Sequence, residues 1–295
     1  MQRFFAFSSL CALIAFTLLT TPAQAVDTFW NAGTANWNVG GNWNTGSVPA
    51  GGDQAIIENG GHAQIGGNIP TPNNITVGRN APGTFSHNAG NNSGGTWLDV
   101  GRFSNGTFNM NGGNLSFGND IHLARSGGTA TVNQSGGTLQ GQWLHTNEDG
   151  GGTANYNMTG GVLNLTGNSN FSPGRAPDGP TMIIGDRGNG TFTISGTADV
   201  NNNRGINVGM DTGGNGIVNQ SGGTVDSVWV DVGRFGGATG QYNISGGTLT
   251  LANDIHLGRQ GGNGTINQSG GNVSAQWMEF SRDSATGARV YNLTG

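Results

Sequence analysis

The feature that most constrains this chain is a short template that returns at nearly constant spacing. Residues 108–113 (FNMNGG), 132–137 (VNQSGG), 156–161 (YNMTGG), 218–223 (VNQSGG), 242–247 (YNISGG) and 266–271 (INQSGG) share one pattern. Following its second position along the chain gives the column Ser86, Asn109, Asn133, Asn157, Thr193, Asn219, Asn243, Asn267 and Asn292, in which every step but the one from Asn157 to Thr193 is close to two dozen positions. Self-similarity at such a period marks a repeat architecture, in which no single unit can bury its apolar face alone. Only one unit is seriously oversized; it carries residues 167–180 (GNSNFSPGRAPDGP), with Arg175 and Asp178.

Each unit holds a second signature, an apolar alternation ending in Gly-Arg or a near match, as in Leu98-Asp99-Val100-Gly101-Arg102 and Ile255-His256-Leu257-Gly258-Arg259. A third run, such as Thr248-Leu249-Thr250-Leu251, lies between the two. Three runs of period 2 separated by Gly-rich corners describe three half-buried strands, and helical periodicity is absent. The expected fold is therefore all-β, a single right-handed parallel β-helix (β-solenoid) with three short strands per coil of about 23–25 residues; the hand follows the strong preference of parallel crossovers.

Stacking coils about 4.8 Å apart would pile equivalent side chains into columns. Leu98, Ile121, Leu144, Ile206, Val230, Ile255 and Met278 make one inward column, and Val100, Leu123, Val208, Val232, Leu257 and Phe280 the next. The Asn column reads as a hydrogen-bonded ladder beside the corners rather than a row of glycosylation sites. Asn109 stands as far from Asn243 as Asn133 does from Asn267, so a block of several coils is duplicated.

Composition then bounds the partners. Gly supplies 58 of 295 residues, far above the usual level of about 7%. All 11 basic residues are Arg, against 16 acids, giving a net charge of −5. Nucleic acid needs a basic face and is not an expected partner. Residues 1–25 read as a secretory signal peptide, with Arg3, an apolar stretch and a small-residue end at Ala23-Gln24-Ala25. No transmembrane segment is expected in the rest. The one cysteine, Cys11, falls inside the signal, so the secreted chain has no thiol or disulfide.

Residues 26–72 depart from the template and carry Trp30, Trp37 and Trp43; they read as an N-terminal cap with a first irregular coil, a sugar-stacking patch being the alternative. Residues 73–295 are the solenoid coils, and the stop at Tyr291-Asn292-Leu293-Thr294-Gly295 within a repeat reads as C-terminally incomplete.

The Trp-rich opening with its NW pairs, followed by PAGGD at residues 49–53 and then by GG-rich coils after a signal peptide, resembles secreted surface proteins that carry autotransporter-associated or PEP-CTERM-associated β-strand repeats. That resemblance covers nearly all of the chain after the signal and implies a pectin-lyase-like β-helix with a structural or adhesive role outside the cell. It carries over no catalytic residue.

Three outward columns hold the surface chemistry. Trp97, Asp120, Trp143, Trp229, Asp254 and Trp277 form a stripe suited to stacking on extracellular polysaccharide, with lateral packing of the indoles as the alternative. Asp99, His122 and His145, and again Asp231, His256 and Glu279, combine imidazole with carboxylate, a donor set for a divalent transition metal; a flat sheet points such ligands in parallel, so a solvated polar face is the competing reading and no cofactor is the working expectation. Arg102, Arg125, Arg234, Arg259 and Arg282 read as a turn-edge stack paired with acids, or as a grip on an acidic glycan. No Ser-His-Asp order, phosphate loop, HExxH or CxxC occurs. The functional expectation is a non-enzymatic, secreted or cell-surface scaffold or adhesin, with end-to-end or lateral self-association open to it; the alternative is a polysaccharide lyase or glycoside hydrolase on the same fold.

Overall fold

Runs of four to six residues with strict apolar alternation are too short for helix and long enough for a rung of sheet, and that is what they form. The computed structural model of the protein describes residues 25–168, 179–283 and 286–294. Residues 1–24, on which all but the last position of the expected signal peptide 1–25 falls, and residues 169–178, with Arg175 and Asp178, lie outside the described residues. Among the described residues the one helical element is the 3-10 turn Gly40–Asn42, and no helix is long and apolar enough to cross a membrane.

The chain is a parallel β-solenoid. Its first face is an 11-stranded sheet that takes one strand per coil in chain order: Asp27–Phe29, Gln54–Ile57, Asn74–Val77, Trp97–Val100, Asp120–Leu123, Trp143–Thr146, Met182–Ile184, Gly205–Val208, Trp229–Val232, Asp254–Leu257 and Trp277–Phe280. The second face stacks the template runs, among them Asn105–Met110, Thr129–Gln134 and Thr153–Met158. The third stacks the shorter runs, such as Asn114–Phe117, Thr138–Gly141 and Val162–Leu165. In two coils the second and third faces are one continuous strand, Asn215–Ser227 and Thr239–Leu251, bent through Ser-Gly-Gly.

The columns stack in the expected register. Asn109 pairs with Asn133 and Asn133 with Asn157, and the column continues unbroken from Ser86 to Asn292. Its amides form the ladder: Asn133 Nδ2 donates to Asn109 Oδ1 at 3.0 Å, Asn157 to Asn133 at 3.1 Å, Asn243 to Asn219 at 2.8 Å and Asn267 to Asn243 at 2.8 Å. The long step between Asn157 and Thr193 is still a single rung, and the extra sequence falls between the strands Val162–Leu165 and Met182–Ile184.

Inside, Leu98, Ile121, Leu144, Met182, Ile206, Val230 and Ile255 form one buried column, with Met182 filling the place between Leu144 and Ile206. Phe85, Phe108, Val132, Tyr156, Phe192, Val218 and Tyr242 form another on the second face. Each fully buried Val, Leu or Ile contributes roughly 1.5–3 kcal/mol, so stability accumulates coil by coil. The first-face strand ends at a residue in the left-handed region in each of these coils: Gly101 (φ 70°), Gly209 (φ 70°) and Gly233 (φ 66°), with Ala124 (φ 52°), Asn147 (φ 62°) and Ser281 (φ 69°) in the same role. At Gly101 a Cβ would lie 2.2 Å from the Thr129 carbonyl oxygen of the next coil, which excludes any side chain.

Trp30, Trp37 and Trp43 are buried together, with ring centroids 5.0 Å (Trp30–Trp43) and 4.7 Å (Trp37–Trp43) apart in edge-on contact, and Trp37 lies 5.5 Å from Phe85 at the end of the aromatic column. The sugar-stacking alternative for these three rings is therefore corrected: they have no face left for a ligand.

Candidate functional site

The column Asp99, His122, His145, Ile183, Asn207, Asp231, His256 stacks rung on rung as the sequence register requires. It is not a solvated face. All seven side chains are buried, with His122 at 3% and Asp231 at 0% exposure, and only Glu279 in the last coil stays partly open. Acidic residues and Arg side chains flanking the strand close over the column, so the imidazoles sit among charged groups in a site of reduced dielectric.

In the first block, His145 is followed by Thr146 and by Asn147, whose positive φ turns the chain back and brings Glu148 over the column. Glu148 Oε2 comes within 3.2 Å of His122 Nδ1 and 3.1 Å of Arg125 Nε, while Asp120 Oδ2 lies 3.3 Å from His122 Nε2. The His122 and His145 rings stand 5.9 Å apart at 70°. Burial works against a charge on His122, but the contacts with Asp120 and Glu148 and the charges of Asp99 and Asp120 outweigh it and hold its pKa up at about 9. His122 correspondingly pulls Glu148 down to about 2, against its own burial. Burial pushes Asp99 above the usual carboxylate range, although His122, Arg125 and Arg102 oppose the shift. One donor atom from each of His122, His145 and Glu148 lies within 4.8 Å of the other two. Glu148 is a residue that column reasoning missed, because it comes from the turn after the strand.

The second block has the same frame and different occupants. The offset that takes Asn109 to Asn243 also carries Asp120 onto Asp254, His122 onto His256, Arg125 onto Arg259 and Asp149 onto Asp283, but His145 onto Glu279 and Glu148 onto Arg282. His256 Nδ1 is 2.6 Å from Asp231 Oδ1 and its Nε2 is 3.3 Å from Glu279 Oε2. Arg282 Nη1 lies 3.2 Å from His256 Nε2 and 3.4 Å from Glu279 Oε2. Arg259 adds a contact of 3.5 Å to Asp231. Asp231, His256 and Glu279 are thus closed into an internal charge network rather than left as a donor set.

The remaining Arg side chains of that column also meet the protein's own groups. Arg125 contacts Glu148 and Asp149, Arg259 contacts Asp231 and Asp283, Arg234 contacts Asp231 and covers the Phe235 ring, and Arg102 covers Phe103.

The tryptophan stripe is uneven. Trp97 is 40% and Trp277 69% exposed, whereas Trp143 packs on a small outer apolar cluster of Ile183 and Met210, and Trp229 lies flat over Gly205, where a Cβ would come within 2.1 Å of the indole. Beside Trp229, at the corner between the third and first faces, runs a groove of about 520 Å³ lined by Asn164, Thr166, Asn201, Asn203, Asp226 and Val228. A second hollow of about 370 Å³, which shares Asn203 and Val228, extends it to Arg204, Trp229 and Asn253. Asp120 and Asp254 sit in register with Trp143 and Trp277 along the same corner.

In comparison with known proteins, no family model, no curated protein and no solved structure matches the chain.

Proposed function

We propose that the chain is a secreted, cell-surface β-solenoid, of the kind found in surface proteins with autotransporter-associated or PEP-CTERM-associated strand repeats, acting as a non-enzymatic scaffold or adhesin that holds extracellular polysaccharide along its tryptophan-bearing corner. The observation that carries this reading is the groove beside Trp229. Three successive coils line it with amides and one carboxylate, Asn164, Asn201, Asn203 and Asp226, and the adjoining hollow, which shares Asn203 and Val228, is lined by Trp229. Amide and carboxylate side chains accept and donate to hydroxyl pairs, and aromatic rings cover the C–H faces of sugars, so the lining has the mixed character of a carbohydrate site. The rungs repeat at about 4.8 Å, which matches a linear polymer better than a single small molecule. The most exposed indole, Trp277, lies on the same edge and extends the contact.

The test is a glycan array followed by titration of the best polymer against wild type, Trp277→Ala and the double variant Asn203→Ala/Asp226→Ala. We expect tenfold or greater weakening in both variants at unchanged circular dichroism, with the polymer recovered at full length. Binding that ignores these substitutions, or a polymer shortened by the wild type, would contradict the reading.

A further inference from the structure

We infer that His122, His145 and Glu148 form a site for one divalent transition metal ion that staples two successive coils, and that Arg282 takes the place of that cation in the duplicated block. The argument rests on the comparison of the two blocks. Between them the ionisable frame is kept at Asp120/Asp254, His122/His256, Arg125/Arg259 and Asp149/Asp283, and among these ionisable positions the two that change are His145/Glu279 and Glu148/Arg282. In the second block the new carboxylate and the new guanidinium are each other's partner, and Arg282 Nη1 lies between His256 Nε2 and Glu279 Oε2 at 3.2 and 3.4 Å. A cation is therefore built into that position. In the first block the same position faces two imidazoles and a carboxylate, three groups with donor atoms within 4.8 Å of one another.

The chemistry of that donor set selects the ion. Two imidazoles with one carboxylate suit zinc and its neighbours rather than calcium or magnesium, which take oxygen ligands. Metal–ligand bonds of about 2.0–2.2 Å require the donors to draw in by less than about 1 Å, a movement within reach of the Glu148 side chain, which is half-buried and carried on a turn. His122 Nδ1 and Glu148 Oε2 are both buried and face each other at 3.2 Å without an aligned hydrogen bond, and the proton that His122 holds in the absence of metal is released to solvent as the ion binds. The other nitrogen of His122 lies 3.3 Å from Asp120, the carboxylate–histidine arrangement that orients a ligating ring from behind. Arg125 Nε stands 3.1 Å from the same Glu148 Oε2 without an aligned hydrogen bond, an ion pair that holds the carboxylate over the column. Because His122 belongs to one coil and His145 and Glu148 to the next, the ion would tie neighbouring rungs together, as Arg282 ties His256 to Glu279.

The full secreted chain is titrated with zinc by calorimetry and its retained metal counted after dialysis; cobalt substitution gives an independent d–d absorption readout. One equivalent is expected, with a higher melting temperature than in chelator. The double variant His145→Glu/Glu148→Arg, which writes the second block into the first, should fold and bind no zinc, and His145→Gln alone should weaken binding at least tenfold. Failure of the folded wild type to retain zinc, or an unchanged affinity in His145→Gln and in the folded double variant, overturns the inference.

Discussion

At the scale of the residue, the hydrogen bonds of His87 fix which of its ring nitrogens carries the proton. His87 is fully buried, with Nδ1 2.8 Å from the Gly112 carbonyl oxygen and Nε2 2.8 Å from Asn92 Nδ2. The carbonyl can only accept, so Nδ1 carries the proton, and the amide of Asn92 donates to Nε2; Asn92 is itself fixed by donating to Gly67 and accepting from Ile69. A second ring proton would face an N–H group. Burial lowers the His87 pKa from its ordinary value, the bond to Gly112 opposing in part. The sign follows: above about pH 6.5 the ring is neutral folded and unfolded, and below it the unfolded chain takes up a proton that the folded chain resists, so stability falls with acidification. Melting temperatures measured from about pH 7.5 to about pH 5 should decline less steeply in His87→Gln than in wild type. Equal slopes would show that His87 does not titrate as its bonding demands.

At the scale of the element, the template, the ladder and the inward columns were legible because period-2 alternation at fixed spacing leaves one register in which every coil agrees. Asn109, Asn133 and Asn157 had to stack, and Met182 could be found only once the register carried across the oversized coil. What the pattern hid were contacts made from outside a strand. The burial of His122 and Asp231 depends on residues beyond their own columns, and Glu148 reaches His122 only because Asn147 adopts a positive φ. Trp143 and Trp229 looked equivalent to Trp97 in sequence, yet Ile183 and Met210 draw the first inward and Gly205 leaves a flat bed for the second. Trp30, Trp37 and Trp43 are likewise engaged in packing. Trp37 closes the aromatic column over Phe85, and Trp→Ala in such a site costs about 3–5 kcal/mol. In a stack where each coil touches only its neighbours, that loss should be local. Hydrogen exchange of Trp37→Ala should show lost protection in His62–Gly66 and Gly83–Ala89 and little change in Thr239–Leu251. A uniform loss along the chain would contradict this.

At the scale of the whole molecule, the claim is that position along the solenoid axis is set by rung number and not by sequence separation. The proposed binding corner, the inferred metal staple and the predicted local effect of Trp37→Ala all depend on it. The strands place Asn105, Thr129, Thr153, Asn189, Asn215, Thr239 and Asn263 in one column on successive coils. Asn105, Asn215 and Asn263 are exposed and accept a spin label. Because the sequence's one cysteine, Cys11, falls in the proposed signal peptide, introduced cysteines can be labelled without competition once residues 1–25 are removed. Pulsed electron–electron distance measurements on Asn105→Cys/Asn215→Cys and Asn105→Cys/Asn263→Cys span four and six rungs, so they should give centres near about 19 and about 29 Å, a step of roughly 4.8 Å per rung with the oversized coil counting as one. Broad distributions, or distances that fail to grow in proportion to rung number, would contradict the stacked account.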